Sequence, residues 1–185
     1  FNILFAGNLS PAQSLETIVK SAKLLSTNGY KENFHFIIVG DGMSKDTFIN
    51  DIKENNLESM FTFEGLQPIE KIPKYTNVAN ALLVTLTKSD LLEFTIPSKV
   101  TSYIAAGKPI LASAEGSSKR LIDRIACGFT STPGDAQALY QNILNLYKAD
   151  DSTRKSMGGN ARKHHHKYLE RNKSVDKIEK FLFDL

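Results

Sequence analysis

ALLVTLTKSDLLEFTIPSKVTSYIAAGKPILAS, residues 81–113, decides the fold. An apolar run at 81–86 leads into a polar segment, a helical pattern from Pro97, and a second apolar run at 110–113. The fixed φ of proline suits a first helical turn. Val100, Tyr103 and Ile104 follow at helical spacing, and Ala105-Ala106-Gly107 ends the helix in small residues. Apolar runs with so little alternation belong to strands covered by helices on both faces. Ser98 and Lys99 fall in the first turn, where unpaired N–H groups and partial positive charge favour an anion. The segment Glu93–Pro109 is therefore expected to hold the diphosphate of a bound nucleotide, with the rest of the chain positioning it.

The same alternation extends outward in both directions. Strands are expected at 2–7, 34–40, 60–65, 81–86, 110–113 and 128–132. Helices are expected at 12–26, 43–55, about 69–75, from 97, at 117–124, and then at about 135–149, 152–168 and 171–183. This predicts an α/β fold: a Rossmann-like, doubly wound parallel sheet of about six strands, helices on both faces, and a helical C-terminal third. Ligands bind beyond the carboxyl ends of such strands. The turns at that edge are Gly7-Asn8-Leu9-Ser10, Gly40-Asp41-Gly42, Gly65-Leu66-Gln67-Pro68, 87–93 and 114–118.

The 185 residues, 41% hydrophobic and 23% charged, fit one domain with a sizeable core. A net charge of +3, with both signs mixed along the chain, argues against a nucleic-acid surface. The single cysteine, Cys127, excludes an internal disulfide, suits a reducing compartment, and is expected to be a small core residue. No run approaches the ~18 apolar residues of a membrane span. The chain opens inside a strand, FNILFAG, so it is expected to be a piece of a longer protein cut at a domain edge.

The first strand–helix turn is neither G-x-G-x-x-G nor a P-loop, which argues against a dinucleotide or phosphate-cleaving site. What the chain does carry, in order, is FAGNLSPAQSLETIVKSAKLL, FIIVGDGMSKDTF, FTFEGLQPIEKIPKYTNVANALLVTL, EFTIPSKVTSYIAAGKPILAS, CGFTSTPGDAQALYQNILNL and RKSMGGNARKHHHKYL. This ordered set resembles the C-terminal, donor-binding domain of a family 4 glycosyltransferase of GT-B fold. The kind it resembles builds bacterial O-antigen, capsule and colanic acid.

The resemblance implies a retaining transfer of a hexosyl or N-acetylhexosaminyl unit from a nucleotide diphosphate sugar, UDP-sugar favoured. The acceptor would be a glycan or lipid-linked molecule of surface polysaccharide synthesis. It implies no metal and no other cofactor, and a cytoplasmic place reaching the inner face of the plasma membrane. Residues 1–185 would be the donor half, inactive alone, with the N-terminal acceptor domain as the missing partner. Expected at the diphosphate are Gly7, Asn8, Gln13, Ser98 and Lys99; at the nucleoside, Gly40, Gly65, Leu66, Pro68, Ile69 and Ser102; at the sugar, Glu93, Glu115, Gly116 and Ser117; and in catalysis, Glu93 and Lys99. Two departures stand out. Asn8 and Gln13 occupy the places of a basic pair in the family's first loop, which leaves Lys99 as the cation. Of two family glutamates eight positions apart, the second is Ser102 here, and the first falls at Phe94, one residue from Glu93.

A nucleotide-sugar epimerase of GT-B fold and a non-catalytic nucleotide-binding domain are the alternatives. Gly40-Asp41-Gly42 also fits a bland tight turn, and Ser117 a plain N-cap. His164-His165-His166, beside Arg162, Lys163 and Lys167, fit a solvated basic face better than a metal site, with contact to anionic lipid as a second reading. Phe181, Leu182 and Phe183 are expected to anchor the last helix on a core, or in part to face the missing domain.

Overall fold

The computed structural model describes residues 1–170 together with 173, 175, 179, 181 and 182. Six strands form one sheet: β1 (Asn2–Ala6), β2 (His35–Val39), β3 (Phe61–Gly65), β4 (Ala81–Thr85), β5 (Ile110–Ser113) and β6 (Gly128–Ser131). Their order is β3-β2-β1-β4-β5-β6. Every pairing is parallel. The winding reverses between β1 and β4, the place where a doubly wound sheet opens a crevice at its carboxyl edge.

The helices are α1 (Leu15–Thr27), α2 (Lys45–Glu54), α3 (Ile72–Val78), α4 (Asp90–Phe94), α5 (Ser98–Ala106), α6 (Gly116–Ile125), α7 (Ala136–Lys148) and α8 (Asp151–His164). Alternate strand residues go to opposite faces. Ile3, Phe5, Phe36 and Ile38 meet α1, α2 and α7 in one core. Leu4, Val39, Leu82 and Val84 meet α3, α5, α6 and α8 in the other. Cys127 is fully buried in this second core, as a small apolar residue is expected to be.

Several expectations shift. The helix expected from 12 begins at Leu15, because Ser14 takes a left-handed φ of 43° and separates it from a short 3-10 turn at Pro11–Gln13. The Ser14 hydroxyl supports that break through Glu16 Oε1 (2.8 Å) and Thr17 Oγ1 (2.7 Å). The expected polar loop before Pro97 contains α4. Pro97 caps α5 rather than starting it, with ψ at 142°. The helix expected to reach 168 ends at His164 and continues as a π-helical turn, His165–Leu169. The helix expected at 171–183 lies mostly outside the described residues, and Phe183 is among those outside. Phe181 and Leu182 are 72% and 59% exposed, so they do not sit in a core as expected.

At the amino edge of the sheet, three helices end against cations. Lys108 Nζ donates to the carbonyls of Asn77 and Ala79 at the end of α3 (both 2.9 Å). Arg154 Nη1 donates to Leu146, Tyr147 and Ala149 at the end of α7. Arg162 Nη2 reaches Ala106 at the end of α5 (3.4 Å). These last carbonyls lack intrahelical partners and carry the negative end of the helix dipole.

Candidate functional site

The carboxyl ends of β1, β2 and β3 open into a cleft of about 670 Å³. Backbone bonds weld its floor: Gly7 N to Val39 O (2.9 Å), Leu9 N to Asp41 O (2.9 Å) and Gly40 N to Gly65 O (2.8 Å). Gly40 has φ +135°, and a Cβ there would overlap the Gly7 carbonyl. Glycine is thus needed for the close approach of two turns, not merely for a flexible loop.

The loop after β1 is held from the side by β4. The Thr85 hydroxyl donates to Gln13 O (2.5 Å), and Thr87 N to Ala12 O (3.0 Å). On the opposite wall stands the start of α5, which has no side-chain cap. Ser98, Lys99 and Ser102 all line the cleft from this helix. Tyr103, one turn after Lys99, fixes α5 to β1: its hydroxyl accepts from Ala6 N (2.8 Å) and donates to Ala6 O (3.3 Å). Burial pushes the Tyr103 pKa far above the ordinary tyrosine value.

Lys99 joins the two walls. Its Nζ donates to Gln13 Oε1 (2.6 Å) and lies 3.5 Å from the centroid of the Phe5 ring. Burial lowers its pKa to about 7. On the third side, Leu66 and Ile69 line the cleft while 80% and 78% exposed, a bare apolar rim that a flat ring could cover.

Of the residues expected at diphosphate and nucleoside, Gly7, Asn8, Gln13, Ser98, Lys99, Gly40, Leu66, Ile69 and Ser102 line this one cleft. Gly65 contributes its carbonyl to Gly40, and Pro68 caps the short turn Ile69–Lys71. Glu93 and Glu115 do not share the cleft. They line a separate hollow of about 70 Å³ with Thr87, Lys88, Asp90 and Pro133, further along the same edge. There Arg120 of α6 grips α4: Nη1 to Glu93 Oε1 (2.9 Å), Nη2 to Glu93 O (3.1 Å) and Nη2 to Ser117 Oγ (3.1 Å). Ser117 is not the N-cap of α6. That position is Glu115, and the Ser117 hydroxyl instead donates to Glu93 O (3.1 Å). Gly116, at φ +65°, lets the backbone of Glu93 rest on the start of α6, since a Cβ would come within 2.5 Å of Glu93 Cα.

Sequence reading missed Tyr103 and Arg120. Tyr103 shares a helical face with Lys99 at i+4, and Arg120 lies at i+3 from Ser117. Either spacing could have flagged them, but neither shows which backbone the side chain reaches. Asp41 and Gln67, from two of the turns expected at this edge, also line the cleft, and Thr76 joins them unforeseen. His164 lines a different hollow, with Ile96, Thr101 and Leu121, and its pKa is lowered, first by burial and then by Arg124 and Lys167. No group of three or more His, Cys, Asp or Glu is placed to hold a metal among the described residues. Among those residues, no helix is long and apolar enough to cross a membrane.

The sequence matches the family described as Glycosyl transferases group 1 over residues 1–164. It is 29% identical over 113 residues to WcaI of Escherichia coli K12, named as a colanic acid biosynthesis glycosyl transferase, covering 61% of this chain and 26% of WcaI. The fold matches Alr3699/HepE of Anabaena, solved with UDP, at TM-score 0.84 and 21% identity, over all of this chain and 49% of that one. It also matches the C-terminal domain of a glycosyl transferase group 1 family protein, LpcC of Francisella tularensis, at TM-score 0.74 and 13% identity, over 92% of this chain and 87% of that domain. The chain thus spans about a quarter of WcaI and half of HepE, but nearly all of the isolated domain.

Proposed function

The chain belongs to the glycosyl transferases of group 1, with the fold of a C-terminal GT-B domain, and from that premise we propose that it is the donor-binding half of a retaining glycosyltransferase. The cleft at β1–β3 takes a nucleotide diphosphate sugar, with a UDP-sugar favoured. The diphosphate lies against the uncapped start of α5 beside Ser98 and Lys99, with Gly7, Asn8 and Gln13 across from it. The base covers Leu66 and Ile69 near Gly40, and Ser102 meets the ribose. That a relative of the same fold was solved with UDP supports the choice of nucleotide.

Glycosyl transfer leaves negative charge on the departing diphosphate, and fixed donors aimed there lower the barrier. Lys99 and the free N–H groups of α5 supply that field, so the reaction calls for no metal. The sugar extends from the cleft toward the β4–β5 ends. Glu93, held by one carboxylate oxygen to Arg120, offers the other to a sugar hydroxyl, with Glu115, Gly116 and Ser117 beside it. The acceptor is a glycan or lipid-linked molecule of surface polysaccharide assembly. It binds on a separate N-terminal domain, without which these residues turn over no substrate. The basic residues Arg162, Lys163 and Lys167 suit an enzyme working against the inner, anionic face of a membrane.

The observation that carries this reading is the convergence of Lys99, Gln13 and the open start of α5 in one cleft. Calorimetric titration of the chain with UDP, GDP and ADP tests it. UDP binding that weakens at least ~10-fold in Lys99→Ala is expected, the loss of one charge-assisted contact. Affinity unchanged by that substitution would remove Lys99 from the site.

A further inference from the structure

Lys99 reaches the cleft without a carboxylate at its side. The polar partner of its Nζ is the neutral amide of Gln13, at 2.6 Å. Below it lies the Phe5 ring, and Gly7 fits so tightly that a Cβ there would come 2.7 Å from Lys99 Cε. The other titratable groups lining the cleft are committed elsewhere. Asp41 accepts from Lys45 Nζ (3.0 Å) and from Gly42 N (2.8 Å), and Tyr103 is bonded to the backbone of Ala6. Glu16 of α1 lines a separate hollow and accepts from the Ser14 hydroxyl. No ion pair between described residues includes Lys99.

An amide oxygen accepts an N–H from an amine and from an ammonium alike. Gln13 can therefore keep Lys99 in one place in either protonation state. A carboxylate in its position would fix the charged form. An arriving diphosphate does what the protein omits: it places negative charge beside the nitrogen and favours the ammonium.

We propose that a nucleoside diphosphate sugar entering this cleft drives the uptake of one proton from solvent by Lys99, with Gln13 as the positioning residue that holds the nitrogen before and after. The proposal rests on the donor-site reading above and adds that binding is proton-coupled. No bond other than the new N–H forms or breaks.

With the free chain's Lys99 pKa at about 7, the sign follows. At pH 6 the nitrogen is already charged, and binding takes up roughly 0.1 proton; at pH 8 it is mostly neutral, and binding takes up roughly 0.9 proton. Affinity is then level below pH 7 and falls about 10-fold for each pH unit above it, until the pKa of the complex is reached. Asp41 titrates well below this window and Tyr103 well above it. A nucleoside diphosphate sugar has no phosphate proton to exchange there, whereas free UDP does, so the sugar nucleotide is the proper probe.

The test is calorimetry of the 185-residue chain with UDP-glucose, GDP-mannose and ADP-glucose, at pH 6 and pH 8, in buffers of low and high ionisation enthalpy. Expected is a binding enthalpy that depends on buffer at pH 8, with a slope near one proton taken up, and hardly at pH 6. Lys99→Arg, charged at every pH, should bind with no buffer dependence and with equal affinity at both. Lys99→Gln, never charged, should bind weakly and also without proton uptake. Circular dichroism of both variants establishes that they are folded. Binding by the wild type without proton uptake at pH 8 overturns this inference and leaves the donor site standing. So does uptake that persists in Lys99→Gln. Failure of all three sugar nucleotides to bind overturns the donor-site reading together with it.

Discussion

Replacing Lys99 by Met should make the chain more stable, and by an amount that depends on pH. An unfolded lysine titrates at about 10.4, and the folded one at about 7. Below pH 7 both states carry the proton, and folding bears the whole cost of enclosing an ammonium. Between the two values the unfolded chain binds more protons, so stability rises with pH. Above the unfolded value the nitrogen is neutral in both states and the cost is gone. At ~1.4 kcal/mol per pH unit, the gap of about three and a half units sets a ceiling of ~5 kcal/mol. The Phe5 face, the bond to Gln13 and water at the open side of the cleft all reduce it. A net ~2–3 kcal/mol is expected after such relaxation. Methionine keeps a flexible stem of similar reach over Phe5 and brings no charge. At pH 6 the variant should melt ~5–10 °C above the wild type, taking ~2–4 °C per kcal/mol for a domain of this size. By pH 10 the difference should shrink toward zero. Thermal unfolding followed by circular dichroism at the two pH values measures both. A variant that melts no higher than the wild type at pH 6, or a gap that stays constant to pH 10, would refute the reasoning.

Gly40→Ala should cost ~2–4 kcal/mol in urea unfolding, because the new methyl overlaps the Gly7 carbonyl at a φ of +135° that alanine rarely adopts. Tyr103→Phe should cost ~0.5–1.5 kcal/mol, since it strips the part-buried Ala6 N of its hydroxyl partner; the same denaturation series reads it. Arg120→Ala should leave global stability within ~1 kcal/mol, as an exposed ion pair does. It should nevertheless speed limited proteolysis within residues 87–96, because α4 loses its tie to α6.

The sheet was legible because its strands are apolar on both faces, and that pattern depends only on coverage by helices. All six strands fall within two residues of the expected bounds. The cleft was legible for a related reason: a parallel sheet with right-handed crossovers brings its strand-end turns to one edge, so Gly7, Gly40, Leu66 and Lys99 meet there whatever their chemistry. What failed was local. Pro97 looked like a first helical residue, yet its ψ of 142° makes it the cap. Asp90–Phe94 carried too few residues for a period to emerge, and α4 forms through contacts with α6 that sequence spacing does not display. Glu93 was grouped with Lys99 because six positions separate them in the chain. In space the turn at Thr95–Pro97 sends them to different hollows. The exposure of Phe181 and Leu182 has no counterpart in composition, since an amphipathic end reads the same whether its cover lies inside or outside the domain.

The cations at the amino edge change what the formal charge of +3 means. Lys108, Arg154 and Arg162 are counted in full by any tally of ionisable groups, yet each faces the carbonyl end of a helix. Helix dipoles aligned by a parallel sheet leave one edge electropositive at its N–H groups and the other electronegative at its carbonyls. Side-chain cations at the second edge cancel that negative end, while the first remains open to an anion. An anion nearing the second edge meets three helix ends, each offset by a side-chain cation. Replacing any one of the three by a neutral residue would uncover one helix end and alter the approach of anions from about 30 Å only in dilute salt, where the screening length is of that order.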